Sequence, residues 1–120
     1  MILVDTSVWI DHLRSVDNRL MGLLDEGQVL AHAFVIGELA LGNLRQRKAI
    51  LQSLLELPQA KSAQDDEVLA FIDANALSGL GIGFVDAHLL AAARLSNTML
   101  WTHDGRLHDV AAKIGLALAP

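Results

Sequence analysis

The sequence predicts an α/β fold: a three-layer α/β/α sandwich around a central, mostly parallel sheet. Two observations predict it. Short apolar runs alternate along the chain with segments of helical periodicity, a pattern that implies crossover connections between parallel strands. The strand runs are also uniformly apolar rather than alternating, as they are when helices cover both faces of a sheet. With 120 residues and no repeat, low-complexity tract or linker, the chain reads as one domain over residues 1–120.

The elements follow in order. "MILVD" reads as a buried strand, and "TSVWIDHLR" as a short helix capped by Thr6 or Ser7. "VDNRLMGLLDEG" spaces Val16, Leu20, Leu23 and Leu24 helically and stops at Gly27. "QVLAH" is a second strand. "AFVIGELALGNL" and "RQRKAILQSLLEL" are helices, the latter ended by Pro58. "QAK" reads as a short strand. "AQDDEVLAFIDANAL" opens with acids in its first turn, where the helix dipole favours them. "SGLGIG" is a loop, "FVDAHLLAAARL" a helix, "TMLWT" a strand and "DGRLHDVAAKI" a helix. A last short strand, "LAL", follows Gly115.

Composition narrows the function classes. Hydrophobic residues make up 52% and mean hydropathy is +0.39, yet no apolar run reaches the roughly 18 residues of a spanning helix. "MILV" is too short for a signal-peptide core. There is no cysteine, so neither disulfides nor thiolate chemistry are available, and a cytoplasmic location is expected. A net charge of −5 and a pI near 5.3 argue against a plain nucleic-acid binder with a basic face. A cation held by clustered carboxylates would cancel much of that charge. Aromatic residues are only 4%, which speaks against base-stacking platforms.

Ligands of such folds bind outside the carboxyl ends of the strands. Asp5 ends the first strand and Asp104 follows "TMLWT". Asp86 lies in the first turn of its helix and Glu38 in the second turn of the helix after "QVLAH", and those helices start at the same edge. Four carboxylates spread from position 5 to position 104 therefore converge. Glu38 stands in the stripe of Phe34, Val35, Leu41 and Gly42, which is expected to pack inward, and Asp86 faces Leu89, Leu90 and Ala93. Buried carboxylates need partners or a metal. Basic residues are few here, and a hard divalent cation with oxygen ligands, magnesium or manganese, meets the need. Carboxylates this close should also raise at least one pKa by repulsion.

Each acid has a plainer reading. Asp5 fits a helix cap. Asp86 does too, although Leu89 stands where a capping box places Glu or Gln. Glu38 fits a pair with Arg45 or Arg94, and Asp104-Gly105 is a turn dipeptide. Convergence on one edge favours the functional reading. His103 and His108 in "HDGRLHD" are weaker ligand candidates, because imidazole suits transition metals better than magnesium. His88 points away from Asp86. "GLGIG" fails the dinucleotide fingerprint, since it follows a helix rather than a strand, and instead sets the position of Asp86. Arg106 is the better substrate contact, ahead of Arg45 in "RQRK", Arg14 and Arg19. Trp9 reads as core or interface. Leu20, Leu23, Leu24 and Leu54 look like apolar excess for a partner contact.

The stretches "ILVDTSVWID", "VIGELALG", "FVDAHLLAAA" and "LWTHDGRL" resemble the PIN-domain ribonucleases, and within them the VapC toxins of prokaryotic toxin–antitoxin pairs. The resemblance spans nearly the whole chain, and the family's acidic positions fall on Asp5, Glu38, Asp86 and Asp104. It implies metal-dependent cleavage of single-stranded or looped RNA, a homodimer, and an antitoxin that wraps the toxin. The family's hydroxyl positions match Thr6 or Ser7, and Thr102. In this reading Asp5 and Asp86 ligate magnesium directly, and Asp104 does so directly or through water. Glu38 orients or deprotonates the attacking water, or holds a second metal. Two alternatives stand beside it. A catalytically silent PIN-fold binding module would keep the fold alone. A HAD-like phosphatase also carries an Asp after its first strand, but Ser7 stands where its second Asp belongs, and Lys48, Lys61 and Lys113 sit in no matching motif.

Overall fold

The computed structural model describes residues 1–119. Its sheet is parallel, with β1 (Ile2–Val4) between β2 (Val29–Leu30) and β3 (Met99–Trp101). Ile2 and Leu3 pair with Val29 and Leu30 on one side. Ile2, Leu3 and Val4 pair with Met99, Leu100 and Trp101 on the other. Leu3 and Val4 point to opposite faces, and both are fully buried. Both faces of the sheet are therefore covered, as the uniform apolarity of the strands requires.

Among the described residues seven helices supply the cover: α1 (Thr6–Arg14), α2 (Asn18–Asp25), α3 (Ala33–Ala40), α4 (Arg47–Glu56), α5 (Asp65–Ala74), α6 (Phe84–Leu95) and α7 (Gly105–Lys113). The longest, α6, packs an almost continuous run from Ala87 to Ala93 into the core. No helix among the described residues is long and apolar enough to cross a membrane. The helix starts are specified locally. Asp17 accepts from the Leu20 N–H at α2, and Glu67 reaches back to the Gln64 N–H at α5.

Three expectations change. "QAK" and "LAL" are not strands but single parallel bridges, Ala31 with Gln59 and Leu100 with Ala117. Pro58 precedes the first and lacks an N–H, and each segment binds only one neighbour. Leu20 and Leu54 are buried, and Leu23 and Leu24 pack against the core, so none is spare surface. The most exposed large apolar residues among those described are instead Leu41, Val16, Leu55 and Leu69. At the end of α3, Arg47 donates twice to the Ala40 carbonyl at 3.0 and 2.8 Å.

Candidate active site

Asp5 emerges from β1 at the N-cap of α1, yet its side chain caps nothing. Its Oδ2 accepts instead from the Ser7 hydroxyl (2.8 Å) and the Thr102 hydroxyl (2.7 Å). The two hydroxyl oxygens in turn accept from the backbone N–H groups of His103 and Asp104, both at 3.0 Å. With both protons committed to Asp5, the 3.2 Å approach of the two hydroxyls is simple contact. The loop after β3 is thus tied to the end of β1 through one carboxylate oxygen. Thr6 and Ser7 do not cap α1 as expected, because they are its first two residues and Asp5 holds the N-cap position.

The other three acids repeat the pattern. Asp104 caps α7, its Oδ1 accepting from the Leu107 N–H at 3.0 Å. Asp86 is the third residue of α6, not its cap, and its Oδ2 accepts from the Gly83 N–H at 3.2 Å. Glu38 Oε1 accepts from the Thr6 hydroxyl at 2.8 Å. Every acid gives one oxygen to the protein, and no protein side chain among the described residues donates to the other. The capping and functional readings are therefore compatible: the cap aims the carboxylate. The "GLGIG" loop does position Asp86, through Gly83.

Burial is uneven. Asp5 is buried and Asp86 half-buried, while Glu38 and Asp104 are exposed. The expected inward packing of the Glu38 stripe holds for Val35 alone. α3 buries Val35, Ile36 and Leu39, and Leu41, past the helix end, is 90% exposed. The Asp86 carboxyl is pushed above its usual range by burial first, and then by the charges of Asp5, Asp104 and Glu38, against the pull of the Gly83 N–H. The other three acids thus lie within charge–charge range of Asp86. Among the described residues the only ion pairs join His88 to Asp65 and His103 to Asp11, so no cation compensates the four.

A hard divalent metal fits this donor set: oxygen ligands only, negative charge without a counterion, and a free oxygen on each acid. No three acidic or histidine side chains among the described residues are drawn together tightly enough to hold an ion by themselves. Complete coordination therefore calls for the carboxylates to close inward, or for water or substrate oxygens as further ligands.

The remaining candidates sort as follows. His103 is taken by Asp11, with Nδ1 to Oδ2 at 2.5 Å, a pair 92 residues apart that no local pattern announced. His108 is half-buried beside exposed Asp109. His88 is buried between the Phe34 and Phe84 rings and bonded to Asp65. Trp9 is core, and its Nε1 has no partner. Arg45 lies with Arg14 in the wall of a groove beside Ile10, Leu13, Leu44 and Ile50. Arg106 lies against Gly81, before the start of α6.

An acidic centre without cations, at the carboxyl edge of a parallel α/β sheet, is the arrangement expected of a PIN domain, and the PIN-domain family profile matches residues 2–113. The chain belongs to the PIN-domain family. It is similar in particular to Ribonuclease VapC32 of Mycobacterium tuberculosis, in strains CDC 1551 / Oshkosh and H37Rv. Each is 48% identical over 120 residues, covering 99% of this chain and 97% of the relative. Among solved structures, FitAcB from Neisseria gonorrhoeae superposes with a TM-score of 0.64 at 25% identity, covering 93% of this chain and 94% of that one. PAE2754 from Pyrobaculum aerophilum superposes at 0.57 with 21% identity, over 91% of this chain and 78% of that one, and supports the fold.

Proposed function

We propose that the chain is a metal-dependent endoribonuclease and the toxin of a toxin–antitoxin pair, working as a single PIN-like nuclease domain in the cytoplasm. The observation that carries the reading is that four carboxylates each spend one oxygen on the protein and keep the other free, with no counterion. Near-full-length similarity to a protein named as a ribonuclease supports the same reaction class. The phosphatase alternative lacks its second acid, since Ser7 spends its hydroxyl on Asp5.

In this reading Asp5, Asp86 and Asp104 hold magnesium, with manganese as a substitute. The bound ion supplies charge neutralisation for an in-line phosphodiester hydrolysis and lowers the pKa of bound water. Ser7 and Thr102 fix the Asp5 carboxylate so that it meets the ion without reorganising. Glu38, anchored by Thr6, orients the attacking water and accepts its proton. The partners are RNA, a second copy of the chain and a cognate antitoxin. The groove between α1 and α4, about 780 Å³ in volume with apolar walls and two arginines, suits an amphipathic acidic segment of that antitoxin.

The test is incubation of the purified, antitoxin-free protein with pooled structured RNAs in magnesium, manganese or EDTA, beside Asp5→Asn and Glu38→Gln. Cleavage that requires metal and drops at least about a hundredfold in both variants supports the reading. Metal-independent cleavage, or cleavage that survives both substitutions, refutes the assigned site. No cleavage by the folded protein returns the chain to a PIN-fold binding module.

A further inference from the structure

Gly81 sits in the loop that leads into α6, at φ +79°, and a Cβ built on it would lie 2.5 Å from Arg106 Nη1 and 2.8 Å from its Cδ. The Arg106 side chain therefore rests in a notch that only glycine leaves open. Gly79, in the same loop and at φ +76°, has nothing within 4 Å of its virtual Cβ. The notch is particular to Gly81.

Arg106 follows Asp104 by two residues, and the Gly81 loop ends at Gly83, which binds Asp86. An arginine two residues from one member of an uncompensated acidic cluster would ordinarily swing onto it. It forms no ion pair with any carboxylate among the described residues. The side chain passes over Gly81 instead, with its planar fork of donors unspent. That fork matches phosphate oxygens in bidentate geometry. An RNA strand approaching four carboxylates meets repulsion, and a cation beside them offsets it.

Resting on the ribonuclease reading, we propose that Arg106, seated on Gly81, clamps a backbone phosphate of single-stranded RNA next to the reacting one. Arg106 is the substrate contact and Gly81 its positioning residue.

The test measures binding of a short, labelled, mixed-sequence single-stranded RNA to the intact protein by fluorescence anisotropy, in calcium buffer, across a salt series. Cleavage in magnesium and thermal melting are followed in parallel. Arg106→Gln should raise Kd about tenfold, as the loss of one charge-assisted contact does. It should also flatten the slope of log K against log salt by about 0.7, one phosphate's worth on a single strand. Arg106→Lys should keep the slope and recover part of the affinity. Gly81→Ala should weaken binding as Arg106→Gln does. Gly79→Ala, which suffers the same backbone strain without a neighbour to displace, should bind as the parent while melting as low as Gly81→Ala. In cleavage, Arg106→Gln should raise KM with kcat within a few-fold. An unchanged salt slope in Arg106→Gln, or equal effects of the two alanine variants on binding, overturns the clamp while leaving the nuclease standing. A parent protein that neither binds nor cleaves RNA overturns both.

Discussion

Replacing Thr102 with valine tests the arrangement at its least exposed point. The substitution keeps the shape and removes one hydroxyl. Asp5 Oδ2 loses its 2.7 Å donor, and the Asp104 N–H loses its 3.0 Å acceptor. Thr102 and Asp5 are both buried, so water cannot readily replace the lost partner. A hydrogen bond to a charged group contributes about 1.5–3 kcal/mol, and Ser7 remains to hold the same oxygen. A loss near 2 kcal/mol is expected, which for a domain of this size lowers Tm by roughly 8 °C. Activity should fall about 10–100-fold, the usual effect of removing an outer-shell partner of a metal-binding group. Circular dichroism melting gives the first number and RNA cleavage well below the melting temperature gives the second. Thr102→Ser should restore both in large part. A valine variant that melts like the parent and cleaves within about twofold of it would refute the claim that this hydroxyl holds Asp5.

Two further predictions concern titration. Asp86 has a raised pKa, so its charged form is disfavoured in the fold. That cost is absent below its ordinary value of 3.8 and grows as pH rises through the folded pKa. In chelator, Asp86→Asn should therefore melt above the parent at neutral pH, with the gap closing in acid, and should not cleave RNA. A variant less stable than the parent at neutral pH would contradict it. His32 is buried at the N-cap of α3, its Nδ1 accepting from the Phe34 N–H at 3.0 Å, and its pKa is lowered by burial and then by His88. It contributes nothing above 6.5, where both states are neutral. Below that the unfolded chain takes up a proton that the fold resists, so stability falls with pH. His32→Asn keeps a cap acceptor. It should start less stable and lose stability less steeply in acid, which a series of melts across pH would read. A slope unchanged from the parent would sink the assignment.

The four acids were readable because each follows from a local rule. Asp5 and Asp104 come directly after apolar runs, Asp86 and Glu38 lie one or two turns into helices, and α/β connectivity sends all those positions to one edge. The helices were readable for the same reason, since periodicity and caps are properties of neighbouring residues. Apart from the cap of α1, which lies one residue earlier than expected, the misreadings concerned what lies across the fold. Leu20 and Leu54 looked surplus because nothing in their own helices shows what packs against them. "QAK" and "LAL" looked like strands because composition does not show how many partners a strand will meet.

By itself, then, the sequence determined the order of the elements, the parallel sheet and the edge that receives the carboxylates. It did so through hydrophobic period, turn chemistry and the crossover rule, all of which act over short separations. Only the tertiary structure decided which oxygen of each acid is spent and which is kept. Thr6 reaches Glu38, Thr102 reaches Asp5, and Arg106 settles on Gly81 across 32, 97 and 25 positions. Hydrogen bonds and close packing act over about 3–4 Å, so such pairings exist only after the backbone has brought distant segments together.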